Sequence, residues 1–208
     1  MKQESSIKTD IVLVDIIGFS KLNSREQLEI IKYLTNSYVK LIRKMLDNSN
    51  MQLDDFIEGY IATGDGFFCI LHEEMRGYGT ILGLNFTHLS SFISKKYPYF
   101  QGVKIAIHTG EIYQFTDILG NKNYIGDGLN DCARYLEIKN FSISTVMVSQ
   151  EAYDNLRIFL TQNVDFNQLF IEYGFQHSKM HEFKDKHSKV KHGCLVWLRN
   201  SKIISLPN

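Results

Sequence analysis

Apolar residues in this chain follow two rhythms, short aliphatic or β-branched runs and longer stretches that repeat every three or four positions. The change-overs between them predict the elements. "DIVLVDIIGFS", Asp10 to Ser20, begins as a run suited to a buried strand. "SREQLEIIKYLTNSYVKLIRKML" opens with Ser24 and Gln27 in capping-box spacing and sets Ile31, Leu34, Tyr38, Leu41, Ile42 and Met45 on one helical face. From about Asp54 to Leu71 the pattern predicts two strands joined at "TGDG", since glycine and aspartate supply the backbone freedom of a hairpin turn. "GTILGLNFTHLSSFISKKYP" predicts a helix stopped by Pro98. "GVKIAIHTGEIYQF" alternates and breaks at Thr109 and Gly110, which places a second hairpin there. "GDGLNDCARYLEI" predicts a glycine turn running into a helix, "STVMVS" a strand, "QEAYDNL" a short helix, and the segment from about Gln176 to Leu198 a final pair of strands. The order β, α, ββ, α, ββ, α, β, α, ββ predicts an α/β fold with one sheet and helices packed on it.

With 208 residues, 44% of them hydrophobic, the chain is long enough for one well-buried domain. Two prolines and no Ser- or Gly-rich linker leave no internal boundary, so the expectation is a single domain over 1–208 with a polar tail over 1–9. Lys plus Arg and Asp plus Glu both number 23, so no global positive field points to nucleic acid as a partner. Cys69, Cys132 and Cys194 are far apart and lack CxxC spacing, which argues against a disulfide framework or a zinc site. The polar start "MKQESSIKTD" carries no signal-peptide pattern, and no run approaches the ~18 apolar residues a membrane span needs. The expectation is a soluble, cytoplasmic protein without a membrane partner.

Two carboxylates stand out. Asp15 ends the first aliphatic run and Asp65 sits between glycines in "IATGDGFFCI", each isolated among apolar residues where an unpaired ion is costly. Two such groups on neighbouring strand ends can share divalent cations, because Mg²⁺ takes one or two carboxylates and completes its shell with water and phosphate oxygens. The competing reading is structural: Asp15 caps a turn and Asp65 is a turn residue.

"DIIGFS", "TGDG", "KIAIHTGEI" and "IGDGLNDCARYLE" together, in this order, resemble the class III nucleotidyl cyclases, the adenylate and guanylate cyclase catalytic domains. The resemblance runs from about Ile11 to Leu156 and is specific only in combination. It implies a palm-like (ferredoxin-like) central sheet with flanking helices, working as a homodimer whose active sites are shared between subunits. It implies two divalent cations, Mg²⁺ or Mn²⁺, held by Asp15, Asp65 and the backbone carbonyl of Ile16. Phe19 and Ser20 match a turn whose amides face the triphosphate, a sensible place for an anion at the start of a helix. Asn130 and Arg134, four apart and so on one helical face, match the residues that orient the ribose and stabilise the transferring phosphoryl group.

Departures from the family pattern bear on the substrate. The position that reads purines with Lys or Glu is Ile61, which cannot hydrogen-bond a base edge, and a second base-reading position is Asn123, whose amide both donates and accepts. Tyr60 can narrow the base pocket unless strand alternation turns it away. A triphosphate-binding Arg of the family has no clear match; Lys122 is the nearest cation, and Lys184 or Lys186 stands for a C-terminal phosphate-binding Lys. Loss of both purine signatures resembles the pyrimidine cyclases of bacterial anti-phage signalling. That resemblance implies UTP as the favoured nucleoside triphosphate, cyclic UMP as product and a separate effector switched on by it. CTP, ATP or GTP as substrate, or a catalytically silent cyclase-like module, stand as alternatives. His108, without a second His at ligand spacing, and Cys132, without a neighbouring base, read as structural residues.

Overall fold

The computed structural model describes residues 6–47, 49–137, 145–184 and 188–200. Strand β1 (Ser6–Ile16) leads through a short 3₁₀ turn (Phe19–Lys21) into α1 (Ser24–Leu46), followed by the single turn α2 (Leu53–Phe56). The hairpin β2 (Ile57–Ala62) and β3 (Gly66–Leu71) precedes α3 (Tyr78–Lys96), β4 (Val103–Thr116), β5 (Lys122–Ile125) and α4 (Asp127–Tyr135). Then come β6 (Val146–Ser149), α5 (Gln150–Gln162), α6 (Val164–Glu172), β7 (Phe175–His177), β8 (His181–Lys184) and β9 (Val190–Leu198).

The sheet order is β2-β3-β1-β4-β6-β9-β7, with β5 on β4 and β8 on β9. Within it, β1 lies antiparallel between β3 and β4, so the first half is the β-α-β-β-α-β ferredoxin-like arrangement. Period-two alternation divides the side chains between two faces. Val12, Val14 and Ile16 point into the larger core with Leu34, Tyr38, Phe86 and Ile93 of α1 and α3. Ile11 and Leu13 point to the other face, where Cys132 and Tyr135 of α4 cover them with Ile70, Ala106 and Met147. Asp15 continues that second series beyond the cover of the buried cluster.

Several expectations change. β4 does not turn at Thr109 and Gly110; it runs unbroken and pairs with β1 along its length. The signals there serve tertiary contacts instead. Thr109 is buried and donates Oγ1–H to Asp10 Oδ1 at 2.6 Å, while a Cβ on Gly110 would meet Gly128 Cα at 2.7 Å. The hairpin turn lies at 117–121, where Asp117 Oδ1 accepts from the amides of Leu119 and Asn121, both at 2.9 Å, and Gly120 takes φ 84°. The tail over 1–9 also shortens, because Ser6–Thr9 belong to β1 and Thr9 is buried. The capping box of α1 sits one residue earlier than expected, at Asn23 and Glu26, with a carboxylate rather than an amide near the positive helix end. Gln27 instead donates Nε2–H to the carbonyls of Phe19 at 3.2 Å and Leu22 at 3.1 Å, bracing the turn after β1. The short helix at "QEAYDNL" extends to Gln162 and is followed by α6, and the C-terminal segment holds three described strands, not two.

Asp10, which the sequence pattern did not single out, organises the far end of β1. Its Oδ2 accepts from the amides of Gly77 at 2.8 Å and Gly79 at 3.1 Å, satisfying the start of α3 in place of a local cap. Burial raises its pKa, against the pull of these bonds and the one from Thr109.

Candidate functional site

Asp15 is the penultimate residue of β1 and stands opposite Gly66 on β3 and Lys104 on β4. Asp65 occupies the β2–β3 turn, and its carbonyl accepts from the Ile16 amide at 2.8 Å, so the turn is pinned to the end of β1. The glycine after Asp65 is obligatory. A Cβ on Gly66 would lie 1.9 Å from the Val14 carbonyl oxygen. Close approach of these two strands is what brings the carboxyl groups together. Burial, then the charge of Asp65 and a hydrogen bond between the two side chains, raises the Asp15 pKa to about 6, while Lys104 works in the opposite direction.

This donor set suits a hard divalent cation. Two oxygen-bearing side chains that repel one another are relieved by a cation between them, and the Ile16 carbonyl belongs to the same strand end. Among the described residues no group of three or more His, Cys, Asp and Glu gathers anywhere. Phe19 packs on the helix-side core and Ser20 is exposed. The turn's internal bonds use the amides of Lys21 and Leu22, so those of Phe19 and Ser20 are the ones at its start.

Asn130 and Arg134 lie on α4, which two glycines seat tightly on β4. A Cβ on Gly126 or on Gly128 would come within 2.9 or 2.8 Å of the Glu111 carbonyl, and Gly126 has φ 147°. Cys132 fixes the helix on the sheet with its thiol 3.5 Å from the Ile11 carbonyl and 3.6 Å from that of Ala106. Its buried thiol has a raised pKa, in keeping with a packing role and not a nucleophilic one. Asn130 is exposed, and Arg134 is half-buried with Nε 3.6 Å from Asp131 Oδ1. Asp131 in turn pairs with Lys191 at 2.5 Å. Ile11, beneath α4, is four residues from Asp15, about 13 Å along the strand. Cys132 of α4 also meets Ala106, which pairs with Leu13 two residues before Asp15, so α4 covers the open face next to the carboxylate end of β1.

The residues expected at the base do not all converge. Ile61 lies opposite Phe68 and packs on the open face with Tyr124 and Leu13. Tyr60 projects to the helix side, stacks on Phe67 at 5.2 Å, and borders a cavity of about 260 Å³ with Tyr38, Cys69 and Phe86. Alternation has turned it away from Ile61. Asn123 lies across from Phe115, and its Oδ1 accepts from the Tyr124 amide at 2.8 Å.

Of the cations expected at the triphosphate, one is engaged elsewhere. Lys122 pairs with Glu58, a mostly buried carboxylate that also accepts from Tyr124 Oη at 3.1 Å and meets His72 Nδ1 at 2.8 Å. Burial opposes ionisation of Glu58, but Lys122 and Tyr124 outweigh it and hold its pKa below the ordinary value. Lys184 is exposed at the end of β8, opposite Val190 on β9, and Lys186 lies outside the described residues. The cation that does stand beside the carboxylates is Lys104. Lys104 opens the "KIAIHTGEI" motif, and its place beside Asp15 is set by cross-strand register.

His108 is held under α4, stacked on Tyr135 at 5.6 Å. Burial pushes its pKa down to about 4, leaving a neutral structural ring.

Comparison with solved structures shows that this fold matches those of nucleotide cyclase catalytic domains. The guanylate cyclase domain of RhGC from Catenaria anguillulae in complex with GTP is similar with a TM-score of 0.65 at 11% identity, covering 94% of this chain and 99% of that one. The catalytic core of a rhodopsin-guanylyl cyclase with converted specificity, in complex with ATPalphaS, gives 0.63 at 11% identity, covering 96% of this chain and 100% of that one. An adenylate/guanylate cyclase/hydrolase from Silicibacter pomeroyi gives 0.57 at 18% identity over 94% and 99%. No protein-family model and no curated protein matches the sequence. Among the described residues no helix is long and apolar enough to cross a membrane.

Proposed function

We propose that this chain is a nucleotidyl cyclase that converts a nucleoside triphosphate to a 3′,5′-cyclic nucleotide and pyrophosphate. The observation that carries this reading is the Asp15–Asp65 carboxyl pair at the open end of the sheet, on the face that also bears α4. In the reaction the ribose O3′–P bond forms as the α-phosphate's bond to pyrophosphate breaks, and the hydroxyl proton passes to solvent. Two divalent cations, Mg²⁺ or Mn²⁺, would lower the pKa of the 3′-hydroxyl and neutralise charge on the leaving group. Asp15, Asp65 and the Ile16 carbonyl would hold them, and the amides of Phe19 and Ser20 would face the triphosphate. Asn130 orients the ribose and Arg134 donates where charge develops on the transferring phosphoryl group. Lys184 and Lys186 are the C-terminal candidates for a further phosphate contact.

The working unit in this proposal is a homodimer in which Asn130 and Arg134 of one subunit act at the carboxylates of the other. The β4–β5 arm supports it: Tyr113, Phe115, Ile118, Leu119 and Ile125 are exposed on one hairpin, more apolar surface than an isolated arm keeps in water.

The favoured substrate is UTP, on the ground that Ile61 replaces a purine-reading side chain and Asn123 can pair with a pyrimidine edge. The product, cyclic UMP, would act on a separate effector in anti-phage signalling within the cytoplasm. Purified protein incubated with Mn²⁺ or Mg²⁺ and each of UTP, CTP, ATP and GTP, with products identified by mass spectrometry, tests the whole reading. Cyclic UMP as the main product supports it. A cyclic purine product overturns the substrate and spares the chemistry, and no cyclic product from any nucleotide overturns the enzyme.

A further inference from the structure

The far end of β4 runs beyond the strand that supports it. β1 follows β4 as far as Tyr113, opposite Ser6, and from Gln114 to Thr116 its partner among the described residues is β5. A two-stranded ribbon of four residue pairs is marginal in water by itself, so contacts at its side decide where β5 lies.

Those contacts run to β2, although β5 pairs with β4 and not with β2. The Tyr124 ring takes the place of a side chain at Gly59, where a Cβ would come within 2.2 Å of it. Its Oη–H lies between the Glu58 carbonyl at 2.6 Å and Glu58 Oε1 at 3.1 Å. Lys122 forms an ion pair with the same Oε1 and holds its ammonium 5.5 Å from the Tyr124 ring centroid. From the segment after β3, His72 sets Nδ1 2.8 Å from Glu58 Oε2 and Nε2 2.8 Å from the Asp54 carbonyl. The Glu58 side chain is only 10% exposed, and a carboxylate taken that far out of water needs such partners.

Gly59 and Ile61 are two apart on β2 and face the same side, so the ring seated on Gly59 brings β5 next to Ile61. Asn123 stands between Lys122 and Tyr124, both of which end on Glu58. We propose that Glu58 is a positioning residue for base recognition: through Lys122 and Tyr124 it latches β5 onto β2 and fixes the spacing of Asn123 and Ile61. The inference rests on the reading of those two residues as the base contacts. It makes Lys122 a tie within the protein and not a ligand of phosphate.

Lys122→Met keeps the stem and removes the charge, Lys122→Arg keeps the charge, and Glu58→Gln keeps the acceptor's shape without its charge. Lys122 is 46% exposed, so its variants fold even where Glu58→Gln does not. Calorimetric titration of each intact protein with the 3′-deoxy forms of UTP, CTP, ATP and GTP in Mn²⁺, which cannot cyclise, reads affinity base by base. Lys122→Met and Glu58→Gln are each expected to shrink the gap between the best and the poorest nucleotide by roughly tenfold, the scale of one misplaced hydrogen bond. The double variant should do no worse than either single one, because both cut the same link, and Lys122→Arg should stay near wild type. A merely structural role would lower the melting temperature and leave the gap alone. An unchanged gap in folded Lys122→Met overturns the latch, and so does an equal loss for all four nucleotides, which makes Lys122 a phosphate contact. Wild-type protein that binds the four equally overturns the latch and leaves the cyclase standing. Wild-type protein that binds none overturns it together with the proposed function.

Discussion

Asp65 reaches the end of β1 through its backbone, its carbonyl taking the Ile16 amide at 2.8 Å, while its carboxyl group meets that of Asp15. Asp65→Ala keeps that bond. The expected outcome is a fall in turnover of at least about a thousandfold, as for loss of a group that organises charge in the transition state, with a melting temperature near wild type. Mass-spectrometric turnover and circular dichroism measure the two. Mixing Asp65→Ala with Arg134→Ala chains restores part of the activity if each site draws on both subunits.

Gly66 has the opposite profile. Gly66→Ala puts a methyl group where Val14 O already sits, and the strands must separate, at a cost of about 2–3 kcal/mol. Urea denaturation should show that loss, and residual folded protein should bind Mn²⁺ more weakly because the two carboxylates are no longer held together.

His108 makes the fold acid-sensitive. Its pKa is depressed from 6.5 to about 4 by burial, so between those values the unfolded chain binds more protons than the folded one. Stability contributed by the neutral ring is therefore full above pH 6.5 and is lost as pH falls toward 4, by up to about 3 kcal/mol, because each pH step of one between the two values is worth about 1.36 kcal/mol. Asp131 and Glu151 temper the effect, while Lys191 and Lys8 add to it. Denaturation curves at successive pH values should be flatter for His108→Gln than for wild type over this window.

Ile118 and Leu119 at the tip of the β4–β5 arm are 101% and 80% exposed, so nothing in the monomer needs them apolar. Ile118→Asp with Leu119→Asp should leave the folding stability within about 1 kcal/mol of wild type while shifting the protein from dimer to monomer and removing activity with it. Light scattering after size exclusion reads the first effect and nucleotide turnover the second.

Much of the sheet and most of the helices were legible in the residue pattern, because period two and period 3.6 impose themselves on any segment with a buried side. The "TGDG" hairpin, α1, α3 and α4 stand where that pattern puts them. The failure at Thr109 and Gly110 has a plain cause. A polar residue and a glycine inside a strand signal either a turn or a close tertiary contact, and only the packing of Asp10 and α4 against β4 distinguishes them.

The site divides in the same way. Asp15, Asp65, Asn130 and Arg134 stand out in the sequence because each sits in a motif that resembles the cyclases, and the structure brings the first two side chains together. Lys122 and Tyr60 could not be placed that way, since the first depends on Glu58 from another strand and the second on which face of β2 it occupies. Lys104 opens the "KIAIHTGEI" motif, but that motif does not say which residue it faces. By itself the sequence determined most of the elements and the mixed α/β class, which follow from short-range spacing, and marked Asp15 and Asp65 as carboxylates isolated among apolar residues. Only the tertiary structure decided which cation stands beside them, because that follows from the register of two strands about ninety residues apart, which local periodicity does not encode.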